Sequence, residues 1–199
     1  MRKITVYVSA IMILLFAACK SKKSAEEKAA DEMKENIGNM YDQMKDRADD
    51  IQKGKADLEK LEPLSLDDLK KLIPESLMGA KRISYNVSKA MGAGLATGEY
   101  EIDDTTNIKL NIYDCGGPAG AGIYSLQYLG LGLTNIESES DDEYTKTINY
   151  GDGKAYEHCN KNYGDCTLTW FAGGRFLVTL NGDHVSADGL KTAGKELKF

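Results

Sequence analysis

The spacing of apolar residues along the chain changes three times, and each change marks a different element. Residues 4–18 are apolar throughout, relieved only by Thr5, Tyr7 and Ser9. About 15 residues at 1.5 Å per residue fall short of the ~30 Å hydrocarbon core of a bilayer. The run therefore reads as the apolar part of a cleavable leader behind Arg2 and Lys3, not as a permanent span. Beyond it the period becomes seven. Ala30, Ile37, Met44, Ile51 and Leu58 form one series, and Met33, Met40 and Leu61 lie three residues after members of it. Arg47 and Gly54 interrupt that second series. Heptad spacing over 25–61 predicts a helix of about 35 residues, some 50 Å long if unbroken. Such a helix is a coiled-coil stalk, an element folded back on the domain, or an amphipathic spacer, and the spacer is the plainest reading.

Pro63 closes this segment, and the third pattern begins. Ser65 caps a short helix whose apolar face is Leu66, Leu69, Leu72 and Ile73, and Pro74 stops it. The period then falls to two. Ile83, Tyr85 and Val87 alternate with polar residues, as do Ile108, Leu110 and Ile112, and Phe176, Val178 and Leu180. Further strands are expected at 96–102, 144–150, 154–159 and 166–171. Asp103-Asp104, Gly151-Asp152-Gly153 and Gly173-Gly174 separate neighbours, which predicts hairpins and an antiparallel sheet. "PAGAGIYSLQYL" opens a helix at Pro118, and Ser186 caps a last one bearing Leu190, Ala193 and Leu197 on one face. The expectation is an α+β fold, with helices on one face of a mainly antiparallel six- or seven-stranded sheet.

The leader ends at Phe16-Ala17-Ala18-Cys19. Small residues ending in cysteine resemble the lipobox of bacterial lipoproteins, in which the thiol is acylated and becomes the mature N-terminus. Phe16 stands where the common pattern has Leu. The alternatives are a plain secreted protein or an uncleaved anchor. Two or three acyl chains on Cys19 would hold the protein stably, with Lys20, Lys22 and Lys23 at the headgroups. The resulting organisation is a leader (1–18), a lipidated basic tether (19–24), a helical stalk or spacer (25–61) and a globular domain (62–199). In a Gram-negative source, the absence of aspartate at position 20 favours the outer membrane, facing the periplasm.

The net charge of −6, from 25 basic and 31 acidic residues, argues against nucleic acid as a partner. With Cys19 acylated, Cys115, Cys159 and Cys166 remain, an odd number that suggests one bridge and one free thiol. Cys159 and Cys166 flank "NKNYGD" between two strands and are the expected pair; the alternative is two reduced, buried thiols. A zinc site built on His158 and Cys159 lacks ligands, since the chain has only 2 histidines.

Few motifs carry chemistry. "CGGPAGAG" (115–122) is a glycine-rich turn before a helix, but it lacks the Lys-Ser/Thr of a P-loop and the G-x-G-x-x-G spacing. Close packing of helix on strand accounts for it more simply. "ESESDDEY" (137–144) lacks the alternating ligands and glycine of an EF-hand, and reads as a solvated acidic loop. Neither His158 nor His184 sits in a catalytic signature. No catalytic residue, metal ligand or cofactor site emerges. The many tyrosines suit either an interface or ordinary sheet packing.

"YEIDDTTNIKLNIYDCGGPAGAG", "ESESDDEYTKTINY" and "GGRFLVTLNG" together resemble an uncharacterised family of exported bacterial proteins, often expected to be lipoproteins. The likeness covers about residues 61–198 and implies an exported single domain, with no activity or site residues attached. The functional expectation is a membrane-anchored, non-enzymatic binding module for a protein or small-molecule ligand of unknown identity. An envelope enzyme using carboxylates or a loop-bound metal, and a coiled-coil assembly factor, are the alternatives. The oligomeric state is open.

Overall fold

The structure is a computed structural model, and it describes residues 45, 48–90, 92–132 and 135–199. Cys19, the leader and the first part of the heptad segment lie outside the described residues. Those described belong to one compact unit, Lys45–Phe199. Its centre is a nine-stranded antiparallel sheet built from two meanders that meet in the middle. The first runs inward from one edge: β1 (Ser76–Leu77), β2 (Ala80–Ala90), β3 (Ala93–Glu101) and β4 (Asn107–Asp114). The second runs inward from the other edge: β5 (Glu137–Glu139), β6 (Glu143–Tyr150), β7 (Gly153–Asn160), β8 (Asp165–Ala172) and β9 (Phe176–Asp183). β4 pairs with β9, with Leu110 opposite Leu180 at the middle of the sheet.

Four helices accompany the sheet among the described residues: α1 (48–59), α2 (Leu66–Lys71), α3 (Gly117–Gly132) and α4 (Ala187–Glu196). Ser65 and Ser186 cap α2 and α4, accepting from the Asp68 and Gly189 N–H groups. Strand alternation sends Ile108, Leu110, Ile112, Val178 and Leu180 to one face, where Leu69 and Ile73 from the α2 segment and Leu190 and Ala193 of α4 close the larger core. Cys115, Tyr113, Tyr156, Phe171 and Leu177 form a smaller core on the opposite face, under α1 and α3.

Two expectations are corrected. The sheet has nine strands, not six or seven, because β1 and β5 have 2 and 3 residues and are too short to show a period. β5 lies inside the acidic stretch expected to be loop. Helices cover both faces, not one, because Tyr113, Tyr156, Phe171 and Leu177 give the second face an apolar half. The heptad residues Ile51 and Leu58 are buried in that second core. Gly54, which breaks the heptad series, lies where the Tyr124 side chain meets α1; a Cβ there would stand 2.6 Å from its hydroxyl.

Candidate functional site

A groove of about 890 Å³ opens where the β6–β7 and β8–β9 turns meet α4. Tyr150, at the end of β6, packs edge-on to Trp170 of β8 with ring centroids 5.2 Å apart. Its hydroxyl donates to the Lys191 carbonyl at 2.9 Å, which ties the groove wall to α4. Phe199 adds a further ring, while Phe171 borders the groove from the opposite sheet face, where it packs in the smaller core. Lys154, Lys191 and Lys195 line the same space, with Asp152 as the acidic side chain among the lining residues. The combination of flat apolar rings with ammonium groups suits recognition of a ligand that is part apolar and part anionic.

Behind this wall lies Glu157 of β7, only 1% exposed. Tyr144 donates to its Oε1 at 2.9 Å, and Lys146 Nζ lies 3.0 Å from the same atom. Lys191 Nζ approaches Oε2 at 2.8 Å, a contact of charge without the direction of a hydrogen bond. Burial alone would raise the Glu157 pKa, but Lys191, Lys146 and Tyr144 outweigh it and hold the carboxyl below its ordinary value. Burial and the neighbouring carboxylate push the Tyr144 hydroxyl up to about 12. Glu157 is therefore a fixed anion that positions Lys191, whose side chain belongs to both the network and the groove.

The second sheet face carries a different surface beyond its apolar half. One row across seven strands reads Asn86, Thr97, Asn111, Thr179, Thr169, Tyr156 and Thr147 in register. The next reads Ser84, Glu99, Lys109, Asn181, Thr167, His158 and Thr145. Thr97 donates to Asn111 Oδ1 at 3.2 Å, and Thr167 donates to Asn181 Oδ1 at 3.1 Å. The two pairs have the same sequence separation, 14 residues, and occupy matching hairpins in the two meanders. Thr169 and Thr179 also bond at 3.1 Å.

Cys159 and Cys166 stand opposite each other in β7 and β8 and form the expected disulfide. Cys115 is a free, fully buried thiol, which burial pushes up to about 11. The glycine-rich turn is structural. A Cβ on Gly120 would meet the Cys115 backbone at 2.5 Å, so the helix could not approach the strand. Asp114, just before the turn, accepts from the Gly116 and Leu64 N–H groups and holds Arg175 in a fork at 2.7 and 3.1 Å. In the acidic stretch, Glu139 is engaged by Lys161 and Asp142 by Asn162. No cluster able to hold a metal occurs among the described residues. His158 pairs with Thr145 at 2.9 Å, and His184 Nδ1 lies 3.1 Å from the Thr105 carbonyl.

Tyr100 is wholly buried and donates to the Pro74 carbonyl at 2.8 Å, whereas Tyr150 lines the groove. Sequence reading missed Glu157 and the threonine–asparagine rows. The repeated Thr-to-Asn interval of 14 was the available signal for the rows. Nothing distinguishes Glu157 from the chain's other acids until the strands pair. No family model matches the chain, and no curated protein or solved structure gives a significant match.

Proposed function

We propose that this chain is a lipoprotein of the bacterial cell envelope, held by acyl chains on Cys19, whose domain is a binding module without chemistry of its own. The observation that carries the binding half is the groove, where Tyr150 and Phe199 stand with Lys154, Lys191 and Lys195 above the buried Trp170. Its rings and ammonium groups supply contact area and charge, while the buried acid nearby, Glu157, is committed to an ion-pair network. The anchoring half rests on the sequence around Cys19. Among the described residues no helix is long and apolar enough to cross a membrane. The periplasmic face of the outer membrane is the proposed location if the source is Gram-negative.

The test joins the two halves. The chain is expressed with a photo-crosslinking residue at Lys154, and separately at the exposed Asp104 as a control, each in the Cys19 and Cys19→Ala backgrounds. Cells are labelled with palmitate and fractionated. Palmitate incorporation that needs Cys19, with crosslinked products from position 154 alone, is the expected result. Normal processing and outer-membrane location of Cys19→Ala would remove the anchoring half. Equal crosslinking from positions 154 and 104 would remove the groove as the binding site.

A further inference from the structure

The two edges of the sheet are unlike. β5 is a 3-residue edge, wholly exposed and carrying Glu137 and Glu139, the kind of short charged strand that resists pairing. β2 at the other edge has 11 residues, and the β1 segment covers only its first three, through Ser76 opposite Lys81, Leu77 opposite Ala80 and the Arg82 N–H bonded to the Glu75 carbonyl at 2.9 Å. A register shift between Arg82 and Ser84 then leaves Ser84–Ala90 as a regular strand whose outer side pairs with no strand among the described residues.

The direction of its backbone groups follows from the hairpin. The Ala90–Ala93 pair closes it, and hydrogen-bonded pairs alternate from there. Ser88 and Asn86 therefore bond inward to Leu95 and Thr97 of β3. Tyr85, Val87 and Lys89 turn their N–H and C=O groups outward, a row about 14 Å long. Tyr85 is 45% exposed and Lys89 is exposed, while Val87 between them is half-buried against the larger core.

We propose that this edge pairs with β2 of a second copy, antiparallel, about a two-fold axis through Val87. This register uses every outward group of Tyr85, Val87 and Lys89 on both strands, giving about six interchain hydrogen bonds. Tyr85 then faces Lys89 of the second copy, Val87 faces Val87, and Asn86 faces Ser88. No like charges stand directly opposed across the seam, and the backbone donors and acceptors are self-complementary, as a two-fold interface requires. Centring the axis on Tyr85 instead would set Lys89 against Lys81, and centring it on Asn86 would run Lys89 into the irregular Ile83. Lys70 and Arg82 already lie 4.8 and 5.0 Å from the Tyr85 ring. Lys89 of the second copy would join them there, which limits the affinity. The product is one continuous sheet through two domains.

Register is read by cysteine crosslinking of the full chain in its membrane, with copper phenanthroline and dissolved oxygen as oxidant. Val87→Cys sits on the axis, where facing α-carbons are about 5.5 Å apart and within disulfide reach. The expected result is a reducible dimer from Val87→Cys alone, and from Tyr85→Cys co-expressed with Lys89→Cys. Neither of those last two variants should crosslink singly. As a second measurement, Val87→Lys and Val87→Glu should each lose self-association, and mixing them should restore a heterodimer. Absence of crosslinks from Val87→Cys, self-crosslinking of Tyr85→Cys, or equal crosslinking at all three positions would overturn the proposal.

Discussion

Asp114 and Glu157 are the two buried acids among the described residues, 0% and 1% exposed, and they are held in opposite ways. Asp114 sits in a rigid cradle: an arginine fork plus the N–H groups of Leu64 and Gly116. Arg175 also donates to the Glu62 carbonyl at 2.6 Å, so the same cluster ties the segment before α2 to the sheet. Glu157 is held by a tyrosine and two lysines whose side chains are 41% and 26% exposed. A guanidinium fork and backbone amides fix direction, whereas an ammonium on a flexible stem fixes only charge. The first arrangement suits a joint that must not move. The second holds Lys191 at the edge of the groove by charge, with Asp188 accepting from its Nζ at 3.0 Å.

The sharpest break of this comparison is Asp114→Ala. It leaves Arg175 and two backbone N–H groups without their acceptor, and should cost about 3–5 kcal/mol of unfolding free energy by denaturant titration. A loss below about 1 kcal/mol would show that the cradle is not a structural joint.

Acid should reproduce part of this loss. Burial pushes Asp114 up, but Arg175, Leu64 and Gly116 together hold it below its ordinary 3.8, and Glu157 likewise lies below its ordinary 4.5. A pKa lower in the folded state gives stability that is complete above the unfolded value and is lost as pH falls through the folded one. The domain should therefore be insensitive to these groups at neutral pH and lose stability below about pH 4. The gap between wild type and Asp114→Ala should narrow over that range; a constant gap would contradict the assignment.

Glu157→Gln should cost less, about 2 kcal/mol, because Lys146 and Lys191 can turn toward water once the charge is gone. A larger loss than that of Asp114→Ala would reverse the comparison. Opening the neighbouring Cys159–Cys166 bridge, which spans 7 residues, should lower stability by about 2 kcal/mol under reducing conditions. The smallest effects belong to the helix caps beside each acid. Ser65→Ala and Ser186→Ala should each cost about 1 kcal/mol, and near-equal values would place the asymmetry in the carboxylates alone.

Much of this organisation was visible before the structure. Ser65 and Ser186 announced their helices, the period-two runs gave the long strands, and the "NKNYGD" spacing gave the disulfide. Local rules suffice there, because a cap, a hairpin turn and an alternating face each depend on residues close in the chain. The edge strands escaped because 2 and 3 residues cannot display a period. Helices on the second face escaped because Tyr113, Tyr156, Phe171 and Leu177 come from four different strands.

The sequence by itself determined the α+β class, the caps, the hairpins, the bridge between Cys159 and Cys166, and the expectation of a lipid on Cys19. Tertiary structure alone decided which of 31 acids would be buried, and on which partners. Asp114 and Arg175 are 61 residues apart, and Tyr144 and Lys191 reach Glu157 from β6 and α4. It also decided that Ile51 and Leu58 face the domain, and that α4 closes a groove over Trp170. Contacts between distant segments depend on how the sheet is ordered. That order follows from burying both faces at once, which no local pattern encodes.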